Sequence, residues 1–582
     1  MHKFYIPVMA IGFSVDTPLK VAPFGISSAI SVLDDELLEK ARELYCGIHN
    51  LPFQFIPRTE EDFRAKRITA YLNLLDKLVK QKVANLKSSP FEKGSAIVKY
   101  FEMLPDDSKL KQVYSTMLRT DDTQHVYRLQ NQLRQNILPG SIDVNIMTMI
   151  DKTNYKNGNK LSLEYNDAHA ALRGFALSDL NSSVILSAGI NRNLYGYIST
   201  FGDFFPDEKG SCKKKIILKV SDYRSAVIQG KFLAKKGLWV SEYRIESGLN
   251  CGGHAFATTG LLIGPILEEF KKRKKELLCL TYEIYRKALK SKKHFLPETP
   301  LDLRVTVQGG VGDAKEQNYL LHHYKVDAVG WGSPFLLVPE VTTVDDATLQ
   351  LLRDAGEQEL YLSDTSPLGV PYNSLRGNTK DIEKEYFIKQ GTPGSLCTKK
   401  LFVTNSEFTE KPLCTASRQY QSFKIKDLKK QNYKKEKYDT LYKKITDKSC
   451  ICVGLGSSFL LANDLDTIME EKSASVCPGP NLAYFSNIAS LKDMVNHIYG
   501  RTNIVTATDR PHMFIKELFM YLDYYKNNQK CARENQTKYF KTFKDNLLKG
   551  MEYYKHIFVN VLDEPEAAEQ IGKIDSGFRF NK

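Results

Sequence analysis

The sequence lacks any hydrophobic run long enough to span a bilayer. We also expect no signal peptide, because the apolar start at residues 6–13 is short, follows no basic run and meets Asp16 at once. Its ten cysteines lie at irregular spacings, which excludes the framework of a small disulfide-rich secreted domain. We therefore expect a cytoplasmic chain in a reduced state, without a membrane partner.

Arginine is scarce in the most basic part of the chain. The formal net charge is +14, from 82 Lys and Arg against 68 Asp and Glu, and much of the excess lies in residues 399–448. Nucleic-acid-binding regions usually pair such charge with arginine and a base-reading module. Neither accompanies this segment, so we interpret it as a solvated helical face and expect no nucleic-acid partner.

Short apolar segments alternate with helical patterns along the first 355 residues, which is typical of a parallel α/β fold. With 582 residues and 42% apolar content, the chain can build two or three domains. Eight such segments predict a closed (β/α)8 TIM barrel. The predicted strands are residues 5–13, 25–33, 142–147, 183–188, 216–220, 238–245, 303–307 and 326–331.

The predicted barrel occupies residues 1–360 and is interrupted after strand 2 by a helical insertion at residues 35–138. Apolar residues recur there at helical spacing among charges, and we expect a cover over the barrel mouth or a partner surface. The βα pattern ends near residue 361, so residues 361–582 form a predicted C-terminal α+β accessory region. Parts of this region are too apolar to stay exposed, and we expect it to pack against the barrel.

Two consecutive predicted strands, the seventh and eighth, end in glycine turns. The first turn contains Gly309, Gly310 and Gly312, and the second contains Gly332 and Ser333. Glycines between a strand and a helix let the backbone approach an anion, and the free N–H groups of a helix start bind phosphate. Adjacent turns of this kind match the phosphate site after strands 7 and 8 of a barrel. The alternative is that the glycines serve only tight turns.

The loop after strand 6 carries a histidine in the sequence Gly252-Gly253-His254. Catalytic loops of barrel enzymes lie at this carboxyl-terminal face. The pKa range of histidine suits proton transfer near neutral pH, although a loop histidine can equally be structural.

Together, these segments resemble the flavin-dependent barrels of the nitronate monooxygenase (2-nitropropane dioxygenase-like) family. The resemblance implies that Gly309, Gly310, Gly332 and Ser333 hold the phosphate of FMN, with Gly312 in the same turn. It also places His254 at the reactive edge of the flavin as a proton-transfer or substrate-orienting residue.

FMN barrels of this kind also imply roles at other strand ends. An amide near the pyrimidine edge of the flavin and a cation near N1 and O2 correspond to Asn145 and Lys219, although a lysine at a strand end can simply extend to solvent. Arg244 and Glu246 either reach the pocket or pair with each other. The remaining candidates for cofactor binding are Met9, Ala10 and Gly12 after strand 1, Ser187 on strand 4, and Gly252 and Gly253.

The predicted function is that of an FMN-dependent oxidoreductase acting on a small organic substrate, with reduced nicotinamide as one electron source and oxygen or an enoyl thioester as acceptor. Three alternatives remain: an enoyl-thioester reductase on the same barrel, a flavin-free phosphate-substrate dehydrogenase with Cys251 as nucleophile, and a non-catalytic binding protein. The second resembles barrels of the inosine monophosphate dehydrogenase type, but Asn250 precedes the cysteine where that family has a G-S-x pattern.

Five cysteines lie in the C-terminal region: Cys397, Cys414, Cys450, Cys452 and Cys477. Iron–sulfur motifs usually bring several cysteines within a few residues of one another, whereas only Cys450 and Cys452 are close here. We interpret the five as buried, unreactive thiols and predict no metal site, and the alternative is an iron–sulfur cluster. The sequence does not give the oligomeric state.

Overall fold

The computed structural model describes residues 2–187, 189–467, 472–529 and 536–580. Eight parallel strands close into a barrel in which each strand pairs with the next along the chain and the last with the first. This confirms the predicted α/β barrel. The strands are β1 Phe4–Ile6, β2 Ser27–Ser31, β3 Ile142–Met147, β4 Ser183–Ser187, β5 Lys215–Val220, β6 Val240–Glu246, β7 Arg304–Gln308 and β8 Ala328–Gly330.

Helices connect these strands, and an aspartate caps the start of two of them. Asp222 and Asp313 each cap a helix by accepting a hydrogen bond, from the N–H of Ser225 and of Glu316 respectively. The helices between and after the strands are α1 Thr17–Val21, α2 Asp35–Ile48, α7 Asp167–Ala176, α8 Arg192–Ile198, α9 Tyr223–Lys235, α10 Ile263–Lys292, α11 Ala314–His322 and α12 Asp346–Arg353.

The first strand is shorter than predicted. It ends at Ile6, because Pro7 has no N–H to continue the ladder, and Ala10 adopts a left-handed conformation with φ 54°. Residues 10–14 therefore form turns rather than the end of a strand.

The helical insertion contributes α3 Phe63–Ser88, α4 Ala96–Met103, α5 Lys109–Leu118 and α6 Thr123–Gln135. Helix α3 packs beside α7 in the helical layer of the barrel, where Gly174 allows close contact with Ile68. The segment around α4 and α5 reaches the amino-terminal ends of the strands, where Lys3, just before β1, pairs with Asp107. The segment of α4 and α5 therefore does not cover the barrel mouth, because it lies at the opposite end, and the alternative of a partner surface stays a prediction.

Segments of the C-terminal region cover the mouth instead. The region contains α13 Thr379–Lys389, α14 Arg418–Lys430, α15 Lys435–Thr446, α16 Ile451–Ala462, α17 Leu491–Ile498, α18 Met513–Gln529, α19 Thr537–Asn560 and α20 Pro565–Phe580. An antiparallel hairpin joins Leu360–Ser363 to Tyr372–Leu375, and the backbone of Tyr372 pairs with that of His254. One continuous hydrophobic core includes side chains of the barrel and of this region.

No single helix in the described ranges has the length and hydropathy of a membrane span. The pair α15 and α16 reaches that threshold only when the two are taken together, and they are bent by 47°. Helix α16 is almost wholly buried in the protein.

Candidate functional site

A cavity of about 590 Å³ lies at the carboxyl-terminal ends of the barrel strands. All but two of the predicted site residues line it. These are Met9, Ala10, Asn145, Ser187, Lys219, Gly252, Gly253, His254, Gly309, Gly310, Gly332 and Ser333. They lie at the ends of seven different strands or in the loops that follow them, so residues far apart in sequence converge at one face.

The two glycine turns form one wall of the cavity. Gly309 and Gly310 have φ values of 115° and 83°, which favour glycine. Within the described part of the chain, the backbone N–H groups of Gly310, Val311, Gly332 and Ser333 donate to no protein acceptor. We call this group of four N–H donors the anion cradle. Such a group suits a phosphate, because it offers several hydrogen bonds without placing a carboxylate against the ligand.

Gly312 does not line the cavity, which corrects its predicted role. Its N–H donates to a carboxylate oxygen of Glu316 at 2.8 Å. A side chain at Gly312 would meet the guanidinium of Arg510, which also pairs with Glu316 at 2.7 Å. The start of α11 is thus filled by protein groups.

Gly12 also lies outside the cavity lining. Its N–H donates to the carbonyl oxygen of Leu455 on α16 at 2.8 Å. A Cβ atom at this position would lie 2.8 Å from that oxygen, so glycine is needed for contact with the C-terminal region rather than with a ligand.

The floor of the cavity is polar. The ammonium of Lys219 pairs with Glu246 at 2.7 Å, and the side-chain amide of Gln308 donates to the other oxygen of Glu246 at 2.5 Å. Glu246 lines the cavity, which is one of the two outcomes expected for it, whereas Arg244 pairs with Glu242 at 2.7 Å and neither lines the cavity nor pairs with Glu246.

Asn145 brings an unpaired acceptor to the same floor. It is buried, and its side-chain oxygen Oδ1 has no hydrogen-bond partner among the described residues. Burying an amide oxygen without a hydrogen-bond partner lowers the stability of the folded protein. A ligand that donates a hydrogen bond to this oxygen removes that penalty.

His254 lies on the wall of the cavity that faces the C-terminal region. Its Nε2 and the hydroxyl of Ser366 are 2.7 Å apart, and its ring packs edge-on against Tyr372. Burial lowers the pKa of His254 to about 4, so the imidazole is neutral at physiological pH. A ligand in the cavity would therefore meet a neutral imidazole.

Cys251 also lines the cavity, but its environment opposes a thiolate. Burial raises the pKa of the Cys251 thiol well above its ordinary range, and the nearby Glu246 carboxylate adds to this shift. Nucleophilic cysteines are activated by the opposite change.

Six cavity residues come from the C-terminal region and were missed by sequence reasoning. We call them the roof residues: Tyr372, Phe402, Leu455, Cys477, Gly479 and Asn481. Around residue 479 the roof contacts the barrel loops closely, since the Gly479 N–H donates to the Ser333 hydroxyl at 2.7 Å. The turn signal of residues 477–480 is visible in the sequence, but nothing there indicates its position over the barrel.

Glu517 on α18 is a further residue that sequence reasoning missed. Its carboxyl accepts hydrogen bonds from the hydroxyl of Ser247 at 2.5 Å, the N–H of Ile263 at 2.9 Å and the hydroxyl of Tyr554 at 3.0 Å. Burial raises the pKa of Glu517 to about 7. Because Ser247 lines the cavity, this carboxyl fixes the loop after β6 from behind.

These features fit FMN. The anion cradle at one side of the cavity suits a phosphate, and the unpaired Asn145 oxygen on the floor suits an N–H donor of a flavin ring. The volume lies in the range of cofactor pockets.

Four of the five C-terminal cysteines form two close pairs, of which the sequence indicated only the second, Cys450 with Cys452. Cys397 and Cys414 share a hydrogen bond, and the sulfur atoms of Cys450 and Cys452 are 3.8 Å apart. Cys477 is separate from them and lines the cavity.

No protein-family model matches the chain, and no curated protein matches it. Among solved structures it is similar to the enoyl reductase domain of MlnA from Bacillus amyloliquefaciens, with 14% identity over 69% of this chain and 87% of that chain and a TM-score of 0.35. It is also similar to FabK from Thermotoga maritima, with 14% identity over 69% and 84% and a TM-score of 0.31. For nitroalkane oxidase from Streptomyces ansochromogenes the identity is 11% over 65% and 83%, with a TM-score of 0.29.

Proposed function

We propose that the chain is an FMN-dependent oxidoreductase of the nitronate monooxygenase-like class that acts on a small organic substrate. One observation carries the proposal: the anion cradle and the unpaired oxygen of Asn145 belong to the same cavity. A phosphate-bearing ring system with N–H donors can accept hydrogen bonds from the anion cradle and donate one to the oxygen of Asn145.

In this proposal the chain's own groups hold the cofactor. Gly310, Val311, Gly332 and Ser333 bind the phosphate through their N–H groups, and Asn145 accepts a hydrogen bond from the pyrimidine edge of the ring. Lys219 lies on the same floor, held in place by Glu246. When bound, the flavin accepts electrons from one substrate and passes them to another.

We assign His254 a role in contacting the substrate. Because its imidazole is neutral, it can hydrogen-bond a polar group of the substrate and take up a proton as that group changes charge. The hydroxyl of Ser366 holds the ring at 2.7 Å and limits its rotation. His254 therefore orients the substrate and moves the proton.

The cavity walls favour an organic substrate with an apolar part. Apolar side chains from the barrel and the roof surround the polar floor, namely Met149, Phe256, Leu336, Phe402 and Leu455. The environment of Cys251 argues against the flavin-free dehydrogenase, because that chemistry needs a thiolate.

The test is an ultraviolet–visible spectrum of the purified protein, repeated on the supernatant after heat denaturation. We expect oxidised-flavin bands, released with the chromatographic mobility of FMN. Reduced nicotinamides, alkyl nitronates and enoyl thioesters are then added under anaerobic and aerobic conditions. Bleaching by nicotinamide and reoxidation only by an enoyl thioester would identify a reductase instead of a monooxygenase. A colourless protein that takes up no added FMN would overturn the proposal.

A further inference from the structure

The turn after β7, which supplies two donors of the anion cradle, is held from behind by the C-terminal region. Gly310, Val311 and Gly312 are consecutive, and the carbonyl oxygen of each accepts a hydrogen bond from a different side chain. The donors are Nη2 of Arg510 to Gly310 at 3.0 Å, Nδ2 of Asn481 to Val311 at 2.7 Å, and Nε2 of His497 to Gly312 at 2.9 Å. The proposed flavin chemistry assigns no role to these three side chains.

His497 makes its contact as a single tautomer. Its Nδ1 accepts the N–H of Ile504 at 3.4 Å, so the ring proton is on Nε2, which donates to the oxygen of Gly312. The side chain is buried, and burial lowers the pKa of His497, so the ring is neutral near pH 7. The histidine is therefore a neutral donor to the turn.

The contact made by Arg510 acts on a donor of the cradle. The carbonyl of Gly310 and the N–H of Val311 belong to one planar trans peptide group, in which they point in opposite directions. A donor bound to the oxygen from behind thus holds the N–H on the opposite side, and Val311 lines the cavity. The same hydrogen bond polarises the peptide group and strengthens its N–H as a donor to an anion.

Arg510 is itself held in one position. Its Nε donates to Oδ1 of Asn481 at 3.0 Å, its Nη2 pairs with Glu316 at 2.7 Å, and its Nη1 lies 3.6 Å from Asp313. The side chain is only 7% exposed. Because two carboxylates surround one guanidinium, the group brings no net positive charge to the cradle. Its effect on a bound anion therefore arises from the placement of the turn.

Glu316 connects this group to α18. One oxygen of its carboxylate accepts the N–H of Gly312 at 2.8 Å and a hydrogen bond from Arg510, and the other accepts the N–H of Met513 at 2.7 Å. Met513 is the first residue of α18. The turn and the start of this C-terminal helix therefore share one buried carboxylate, so a displacement of the helix changes the position of the turn.

We propose that Arg510, supported by Asn481 and His497, is a positioning residue that aligns the anion cradle, so that phosphate binding depends on the C-terminal region. The inference rests on the proposed function, because the phosphate in question is that of FMN. It gives the C-terminal region a part in cofactor binding in addition to covering the mouth of the barrel.

The test compares the affinities of the full-length apoprotein for FMN and for riboflavin, which lacks the phosphate. Arg510→Met should weaken FMN binding roughly tenfold or more, since a hydrogen bond from a charged donor is lost, and should change riboflavin binding by less than about twofold. Equal weakening for both ligands would indicate a general loss of structure. That result, or an unchanged FMN affinity in a folded variant, would overturn the inference.

Arg501→Met is the matched control. Arg501 is also in the C-terminal region, pairs with Asp106 at 2.9 Å, and donates to the carbonyl oxygens of Glu102 at 2.9 Å and of Leu104, but it does not line the cavity. The variant loses contacts of the same kind at the amino-terminal end of the barrel and should keep both affinities. If it lost as much FMN affinity as Arg510→Met, the effect would not belong to the cradle.

Removal of Arg510 leaves the buried carboxylate of Glu316 without its cation, which can prevent folding. Asn481→Ala is the second variant, because it removes the bond to Val311 and one support of Arg510 without removing a charge. It should weaken FMN binding by a smaller factor than Arg510→Met and leave riboflavin binding unchanged. Full FMN affinity in this variant, with an unfolded Arg510→Met, would also overturn the inference.

Inorganic phosphate separates this inference from the flavin proposal. In flavin-free protein, replacing chloride by phosphate at equal ionic strength should raise Tm more for wild type and Arg501→Met than for Arg510→Met and Asn481→Ala. General salt effects are common to all four proteins, so the difference reports the cradle. An equal rise in all four would overturn the positioning role. A wild type that shows the difference but binds neither flavin would overturn the flavin proposal and leave Arg510 as the residue that aligns an anion site.

Discussion

The N–H of Gly12 donates to the carbonyl oxygen of Leu455 at 2.8 Å, which joins the turn after β1 to α16 across the mouth of the barrel. A Cβ atom at residue 12 would lie 2.8 Å from that oxygen and 3.1 Å from Cα of Gly456, both rigid backbone atoms. We expect Gly12→Ala to reduce the free energy of unfolding by roughly 1–3 kcal/mol, as overpacking does. Denaturant unfolding measures the change.

Gly47→Ala in α2 is the matched control for this substitution. A Cβ atom at residue 47 meets nothing within 4 Å, and the position is helical. Alanine should therefore leave stability unchanged or raise it by up to about 1 kcal/mol. If both variants unfold alike, the close approach of Gly12 to α16 does not exist in solution.

Gly310→Ala tests the anion cradle. Its φ of 83° is strained for alanine, and a Cβ atom would lie 2.1 Å from Nδ2 of Asn250. Strain of about 1–3 kcal/mol should move the donors and weaken FMN binding roughly tenfold. Fluorescence titration of the apoprotein with FMN measures the affinity.

Gly369→Ala separates backbone strain from loss of the cradle. Gly369 has a similar φ of 70° but no neighbour within 4 Å of its Cβ position, and it does not line the cavity. This variant should bind FMN as tightly as the wild type. Equal loss of affinity in both variants would mean that the cradle is not the phosphate site.

The barrel and most of the site could be predicted because their signals are local. Each strand is a short apolar run bounded by turn residues, and the glycines and His254 lie beside strand ends, where a parallel fold brings them together. The roof depends on contacts across long sequence separations, such as that between Ser333 and Gly479. Nothing near either residue indicates the other.

The two wrong glycine assignments have the same cause. Gly12 and Gly312 follow strands at the correct face, so the local pattern cannot distinguish them from the glycines of the cavity. Their partners, Leu455 and Arg510, come from the C-terminal region. The position of the insertion likewise depends on contacts between residues far apart in sequence, such as the ion pair of Lys3 with Asp107.

His254→Gln should lower turnover by about 10²–10⁴-fold, the usual effect of losing proton-transfer assistance, without changing FMN content. Ser366→Ala, which removes the 2.7 Å contact but keeps the ring, should have a smaller effect. Because burial lowers the pKa of His254 to about 4, activity should be independent of its titration above about pH 5. If the pH–activity profile of the wild type has an inflection near pH 6.5 that is absent from His254→Gln, the ring is solvated.

Cys251 should react slowly with iodoacetamide at neutral pH, because burial raises its pKa and leaves little thiolate. Cys279 is exposed on α10 and is the internal reference for the alkylation rate. Mass spectrometry of peptides from a time course compares the two. We also expect Cys251→Ala to keep the oxidoreductase activity, and its complete loss in a folded, flavin-loaded variant would restore the nucleophile hypothesis.

Glu517 should make stability depend on pH. Its pKa rises from about 4.5 to about 7 on burial, so between these values the folded state binds a proton that the unfolded state has lost. The stabilisation is present in full below about pH 4.5 and is lost as pH rises through about 7. This amounts to roughly 3 kcal/mol of unfolding free energy.

Glu517→Gln keeps an oxygen for Ile263 and Tyr554 and an amide for Ser247, but it does not ionise. Relative to wild type, the variant should therefore gain stability as the pH rises from about 4.5 to about 7, and the difference should stay constant at higher pH. Urea unfolding at several pH values across that range measures the difference in unfolding free energy. If plots of this free energy against pH are parallel for the two proteins, the Glu517 carboxyl titrates normally.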